Sequence, residues 1–221
     1  MNGISADQEN AVLDAIIGER RTIRKFRNEP VPEDAIISII HAGLHGPYAG
    51  AAVAGSTDYF RRFFVIRNPS ITMEKLQPLF LTKVTEMADG LEKVAAADEN
   101  FREVSTGFRA RMAMIRKLGI VPGIGTAPVF LIVAEKKGFP PVEQQSLAHV
   151  LENMWLKATA LGLGFQLVSA TSQMEDVPEF LQALKVENGK WAFMGCAIGY
   201  PAETLSPSIR PAPVDVTVWL P

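Results

Sequence analysis

Cysteine is almost missing from this chain: Cys196 is the only one in 221 residues. That excludes an intramolecular disulfide, a multi-cysteine zinc site and a cluster held by four thiolates of this chain. A reducing, cytoplasmic setting is expected. Histidine is nearly as scarce, with His41, His45 and His149 alone. His41 and His45 stand at i and i+4, a spacing open to a metal pair, but no HExxH pattern or nearby third ligand accompanies them, so packing or helix-end roles are expected. No run of about twenty apolar residues occurs, which predicts no membrane-spanning helix. Excess charge is absent too: a formal net charge of −2 creates no general field for nucleic acid. The opening "MNGISADQENAVLDAIIGERR" lacks the basic stretch and apolar run of a signal peptide, and its acidic residues argue against a transit peptide. "GIGTAP" lacks the third glycine of a dinucleotide fingerprint and precedes a strand, while a Walker lysine loop and a G-x-S-x-G elbow are both missing.

What remains is ordinary in bulk. Hydrophobic residues are 48% and charged residues 21%, the balance of a globular protein that buries its own core, here as one domain over residues 1–221. Ser5 and Gln8 form a capping-box pattern ahead of Val12, Leu13, Ile16 and Ile17, predicting a helix that ends near Gly18. "PVPEDAIISIIHAGLHGP" predicts a second helix opened by Pro32 and closed by Pro47. "YFRRFFVIRN", "VFLIVAE", "FQLVSAT" and "KWAFMGCAIGYP" read as strands. Residues 70–118 read as helical with a polar joint at Asp89 and Gly90, and "PVEQQSLAHVLENMWLKATALGLG" as one long helix. Ser172 to Glu175 repeats the capping-box pattern before a short helix through Leu184. Cys196, in an apolar strand, is expected in the core. The tail 202–221 is too apolar for a linker and is expected to wrap something. The alternation of strands and helices suggests a mixed sheet with helices on its faces.

One local feature breaks the charge balance. "ERRTIRKFRNEP" places Arg20, Arg21, Arg24, Lys25 and Arg27 within eight positions. In an extended segment side chains alternate, so Arg20, Thr22 and Arg24 point one way and Arg21, Ile23 and Lys25 the other. Two guanidiniums and a hydroxyl on one face suit a phosphorylated ligand. Arg210, set in the apolar tail, is a further candidate for an anion.

These residues resemble a known family. "ERRTIRKFRNEPVPEDAIISIIHAGLHGPYAG" is similar to the opening of the FMN-dependent nitroreductase family, R-R-S-x-R-x-[FY], then P-V-[PS], a helix, and A-P-S-x-x-N. "LENMWLKATALGLG" resembles its long-helix signature N-x-x-L-A-A-x-x-L-G-L-G, and "AIGYPAE" followed by Arg210 its C-terminal G-x-P and phosphate arginine. The resemblance implies an α+β, three-layer fold with a mixed, mostly antiparallel central sheet flanked by helices, in an intertwined homodimer holding FMN. It assigns Arg20, Thr22 and Arg24 to the flavin's phosphate, ribityl chain and ring O2 edge, Arg210 to the phosphate, and Arg21 to the same pocket. Leu167, Val168, Ser169 and Ala170 match the segment whose backbone passes the flavin ring. Pro47, Tyr48 and Ala49 fall in the loop that approaches the flavin of the partner. There the family's Pro-Ser-x-x-Asn reads Pro47, Tyr48, Ala49, Gly50, Ala51, so Tyr48 alone offers stacking or a hydrogen bond.

The implied activity is FMN-dependent electron transfer from NADH or NADPH to nitroaromatics, quinones or another small electron-poor acceptor, in a ping-pong sequence. The alternatives are a flavin-binding or regulatory protein with weak turnover, or specialised reductive chemistry such as dehalogenation. Residues 70–125 occupy the variable helical region over the active site, where Phe101, Phe108 and Met112 are candidates for a lid.

Overall fold

A computed structural model describes residues 5–48, 59–206 and 208–220. Helix α1 (Ala6–Glu19) opens as its sequence requires: the Ser5 hydroxyl accepts from Gln8 N–H, and Gln8 Oε1 accepts from Ser5 N–H at 2.9 Å. No residue of α1 is buried. The basic segment then runs along the sheet edge, where Ile23 N–H donates to the Phe165 carbonyl at 3.0 Å and Arg27 N–H to that of Tyr200 at 2.9 Å. Helix α2 (Glu33–Leu44) starts after Pro32 and buries Ile36, Ile39 and Gly43.

Strands β1 (Arg61–Arg67), β2 (Val129–Lys136), β3 (Gly164–Val168) and β4 (Trp191–Gly199) form one sheet in the order β1-β2-β4-β3. Every adjacent pair is antiparallel. A parallel bridge from Thr22 to Phe165 makes the edge mixed. The sheet is therefore the mostly antiparallel one that the family resemblance implies. Between the strands come α3 (Ile71–Ala97), α4 (Glu99–Val104), α5 (Thr106–Leu118), α6 (Glu143–Ala160) and α7 (Pro178–Leu184), with a short α8 (Pro213–Val216) in the tail.

Alternation along β2, buried from Val129 to Glu135, sorts the core into two layers. Phe130, Ile132 and Ala134 join Phe80, Met112, Ile115 and Phe180 from α3, α5 and α7. Val129, Leu131 and Val133 join Ile36, Ile39, Val150 and Met154 from α2 and α6. Helix–sheet–helix gives the three layers. Among the described residues no helix is long and apolar enough to cross a membrane.

Three local expectations change. The polar joint at Asp89 and Gly90 is not a break: α3 runs on to Ala97 because Val84, Ala88 and Ala95 keep one buried stripe, while Asp89 turns outward to pair with Arg116 at 2.5 Å. The breaks fall at Asp98, which caps α4, and at Ser105. β3 stops at Val168 because the Thr171 and Ser172 hydroxyls donate to the Val168 and Ser169 carbonyls, each at 2.8 Å, and curl residues 169–174 into a 3-10 turn. The capping box at Ser172 does not form, and α7 starts instead at Pro178 after Val177. The start of the tail is tied to the basic segment, Ala202 N–H donating to the Lys25 carbonyl at 3.0 Å and Glu203 pairing with Lys25 at 2.9 Å, and its described residues from Ile209 onward are exposed.

Candidate functional site

A cleft of about 440 Å³ opens at the β3 edge of the sheet, bounded by the basic segment, α3, α5, α6 and the 3-10 turn. Its position follows from local bonding. The Ile23 amide is tied to Phe165, so the side chains on either side of it, Thr22 and Arg24, both reach the cleft. Leu167, Val168, Ser169 and Ala170 line it from the end of β3 and the turn that follows. The two segments that sequence reasoning placed together thus meet here.

The remaining candidates divide. Arg20 does not line the cleft; its Nε pairs with Glu152 at 3.2 Å and its guanidinium lies 4.4 Å from the ring centre of Trp155, which does line it. Trp155 stacks on Phe165 with centroids 5.0 Å apart and donates from Nε1 to the Arg21 carbonyl at 3.2 Å, fixing that wall. Arg21 turns back on α1, donating to the Gly18 and Arg20 carbonyls, both at 2.7 Å, and so satisfies orphan acceptors at the helix end. Arg210 is exposed, does not line the cleft, and among the described residues donates only to the carbonyl of its neighbour Ile209. Of Arg20, Thr22 and Arg24, this chain thus brings Thr22 and Arg24 to the cleft and leaves Arg20 one ring away.

Pro47 and Tyr48 follow α2 on the other side of the sheet from α3 and α5. A buried ion pair anchors them: Arg61 Nε meets Glu135 Oε1 at 2.6 Å, and Arg61 also donates to the Gly43 and Gly46 carbonyls, each at 3.1 Å. Ser146 donates to the Pro47 carbonyl at 3.0 Å, and the Tyr48 ring lies 4.2 Å from that of Phe60. Burial raises the Glu135 carboxyl above its usual range, against the Ser146 hydroxyl and Arg61, which lower it. The Tyr48 phenol is raised by burial and then by Glu143 and Glu135. Ala49, Gly50 and Ala51 lie outside the described residues. His41 and His45 meet edge to face with ring centres 4.9 Å apart, and no group of three metal-ligating side chains occurs among the described residues.

Sequence reasoning overlooked Gln166 and Arg111. Gln166 is buried on β3, donates from Nε2 to the Pro122 carbonyl at 3.1 Å, and leaves Oε1 without a partner among the described residues. Arg111 reaches the cleft from α5 together with Phe108, Met112 and Ile115. Two of the proposed lid residues, Phe108 and Met112, line the cleft, whereas Phe101 does not. The i, i+3, i+4, i+7 spacing was the available signal for Arg111, since it shares a helical stripe with both.

A sheet held between two helical layers, with a cleft at its edge lined by Arg24, Arg111 and apolar side chains, defines a three-layer α+β protein with a candidate small-molecule site. The chain belongs to the nitroreductase family, whose model matches residues 17–200. The Bacillus subtilis protein YfhC, which carries the name of an NAD(P)H nitroreductase, is 30% identical over 133 residues, 53% of this chain and 68% of its own. A Bacteroides fragilis nitroreductase solved with bound FMN shares the fold at a TM-score of 0.66 and 20% identity, covering 95% of this chain and 98% of its own. A Desulfitobacterium hafniense nitroreductase, also with bound FMN, gives 0.67 and 19% over 95% and 98%.

Proposed function

We propose that this chain is an FMN-dependent oxidoreductase that takes electrons from NADH or NADPH and passes them to a nitroaromatic, a quinone or a related electron-poor acceptor, working as a cytoplasmic homodimer. One observation carries the reading: Thr22 and Arg24 meet Leu167–Ala170 in a single cleft, and those are the positions the family uses for its flavin. The residues fit the group. At about 440 Å³ the cleft lies within the range of roughly 300–1,000 Å³ usual for small-molecule and cofactor sites. Gln166 Oε1 offers an unused acceptor for a ring N–H, and Arg24 lines the cleft without an acidic partner among the described residues.

When bound, FMN supplies the hydride-accepting and electron-donating chemistry. Arg24 contributes a permanent cation, which favours an electron-rich ring edge over a neutral one. Thr22 contributes a hydroxyl, and the first residues of the 3-10 turn contribute amides that have no acceptor within the turn. Phe108, Met112 and Met87 present apolar surface that keeps water from the cleft. Arg20 and Arg210 are the candidates for the phosphate. Arg210 is bound to no carboxylate among the described residues, and a partner subunit that orders the tail is the means of bringing it in.

The test starts from colour. The purified protein is expected to carry or take up FMN, to bleach anaerobically with NADH or NADPH, and to recolour with a nitroaromatic. Protein that stays colourless in excess FMN overturns the reading; protein that binds FMN but does not bleach supports a binding protein instead. Arg24→Ala is expected to weaken FMN retention roughly tenfold, the scale of one hydrogen bond to a charged group. Lys25→Ala and Arg27→Ala are expected to have far less effect, because these side chains are engaged with Glu203 at 2.9 Å and Glu29 at 3.1 Å.

A further inference from the structure

Four residues of α5 at i, i+3, i+4 and i+7 face the cleft: Phe108, Arg111, Met112 and Ile115. Three are apolar, as a core-facing stripe requires. The fourth is a guanidinium. The other arginines of this region are paired: Arg102 with Glu99 at 2.7 Å, Arg109 with Glu92 at 2.7 Å and Arg116 with Asp89 at 2.5 Å. Arg111 has no acidic partner among the described residues. Among the described residues no aspartate or glutamate lines the cleft, whereas two arginines do, and Arg24 comes from the segment assigned to the flavin. That leaves Arg111 free for whatever shares the cleft with the cofactor.

We propose that Arg111 selects electron acceptors that carry a carboxylate or comparable oxyanion on a flat apolar body, an inference that rests on the reading of this cleft as the flavin and acceptor site. The guanidinium fork pairs with a carboxylate through two parallel N–H donors and keeps its charge at every working pH. Phe108 and Met112, one turn or less away on the same stripe, and Met87 from α3 supply the surface on which an aromatic ring rests. Arg111 itself is exposed, so solvent screening limits its effect to a modest preference rather than an absolute requirement. It is a specificity residue with no part in the electron transfer.

The experiment compares 4-nitrobenzoate with its neutral analogue 4-nitrobenzamide. In the wild-type protein the carboxylate is favoured, and in Arg111→Ala the carboxylate-to-amide ratio of kcat/KM falls roughly twofold to fivefold. Arg111→Lys recovers part of the ratio, and Arg111→Glu lowers it further. Equal changes on both acceptors, or a change confined to the KM for NADH or NADPH, overturn the proposal; the second outcome would assign Arg111 to the donor's phosphates. Binding of the same two probes by calorimetry needs no turnover. If the wild-type protein takes up no FMN, the oxidoreductase reading fails while the calorimetric difference between wild type and Arg111→Ala still decides the role of Arg111.

Discussion

At the scale of single residues, chemistry and packing part company in ways that burial makes plain. Cys196 lies wholly inside the core, and burial pushes its thiol well above the ordinary range. The native protein is therefore expected to be inert to a thiol reagent such as DTNB at neutral pH and to release one equivalent per chain on denaturation; prompt native reaction would contradict the packing. Arg61 and Glu135 are the reverse case, two charges fully removed from water. Such a pair is retained at a desolvation cost, and here it also clamps three carbonyls at the end of α2, which positions Pro47 and Tyr48. The alternation that placed Thr22 and Arg24 on one face was legible in the sequence because an extended strand has a fixed period. The diversion of Arg20 to Glu152 and Trp155 was not, since both partners lie about 130 residues away in the chain.

At the scale of elements, the site depends on how closely the basic segment approaches β3. Gly164 makes that approach possible: a Cβ there would lie 2.7 Å from Ile23 Cγ2 and 2.8 Å from its Cβ. Gly164→Ala is thus expected to push residues 22–24 off the sheet edge. The cost is about 1–3 kcal/mol, the usual range for overpacking, or roughly 2–4 °C of Tm for each kcal/mol in a chain of this size. Flavin content should fall with Tm; a variant with unchanged Tm and full FMN would show that the segment is held elsewhere. The four strands and the long helix α6 were readable from apolar runs and periodicity. The end of β3 was not, because Thr171 and Ser172 compete for backbone acceptors that the strand would otherwise use. Likewise α3 passes straight through Asp89 and Gly90, since a continuous buried stripe outweighs the low propensity of one exposed glycine.

At the scale of the whole molecule, apolar surface is left over. Val12, Leu13 and Ile17 of α1 are about half exposed, and in the tail Ile209 is 95% and Trp219 90% exposed. Clusters of this kind mark surfaces that are covered by a partner, which supports the proposed homodimer. Light scattering after size exclusion is expected to give about twice the 24.1 kDa chain mass, and removal of residues 205–221 to shift the protein toward monomer and lower its FMN content. A full-length monomer that binds FMN would contradict this.

The sequence by itself determined the strands and most of the helices, because strand and helix periods are local properties, and its family motifs implied the mostly antiparallel three-layer class and a site shared by Thr22, Arg24 and Leu167–Ala170. Only the tertiary structure decided which cations are committed and which are free. Arg20, Arg21, Arg102, Arg109 and Arg116 find partners through folding, whereas Arg24 and Arg111 are left facing the cleft. Chain spacing encodes only a local pair such as Glu99 and Arg102, at i and i+3 on α4; the long-range pairs are set by distances in space.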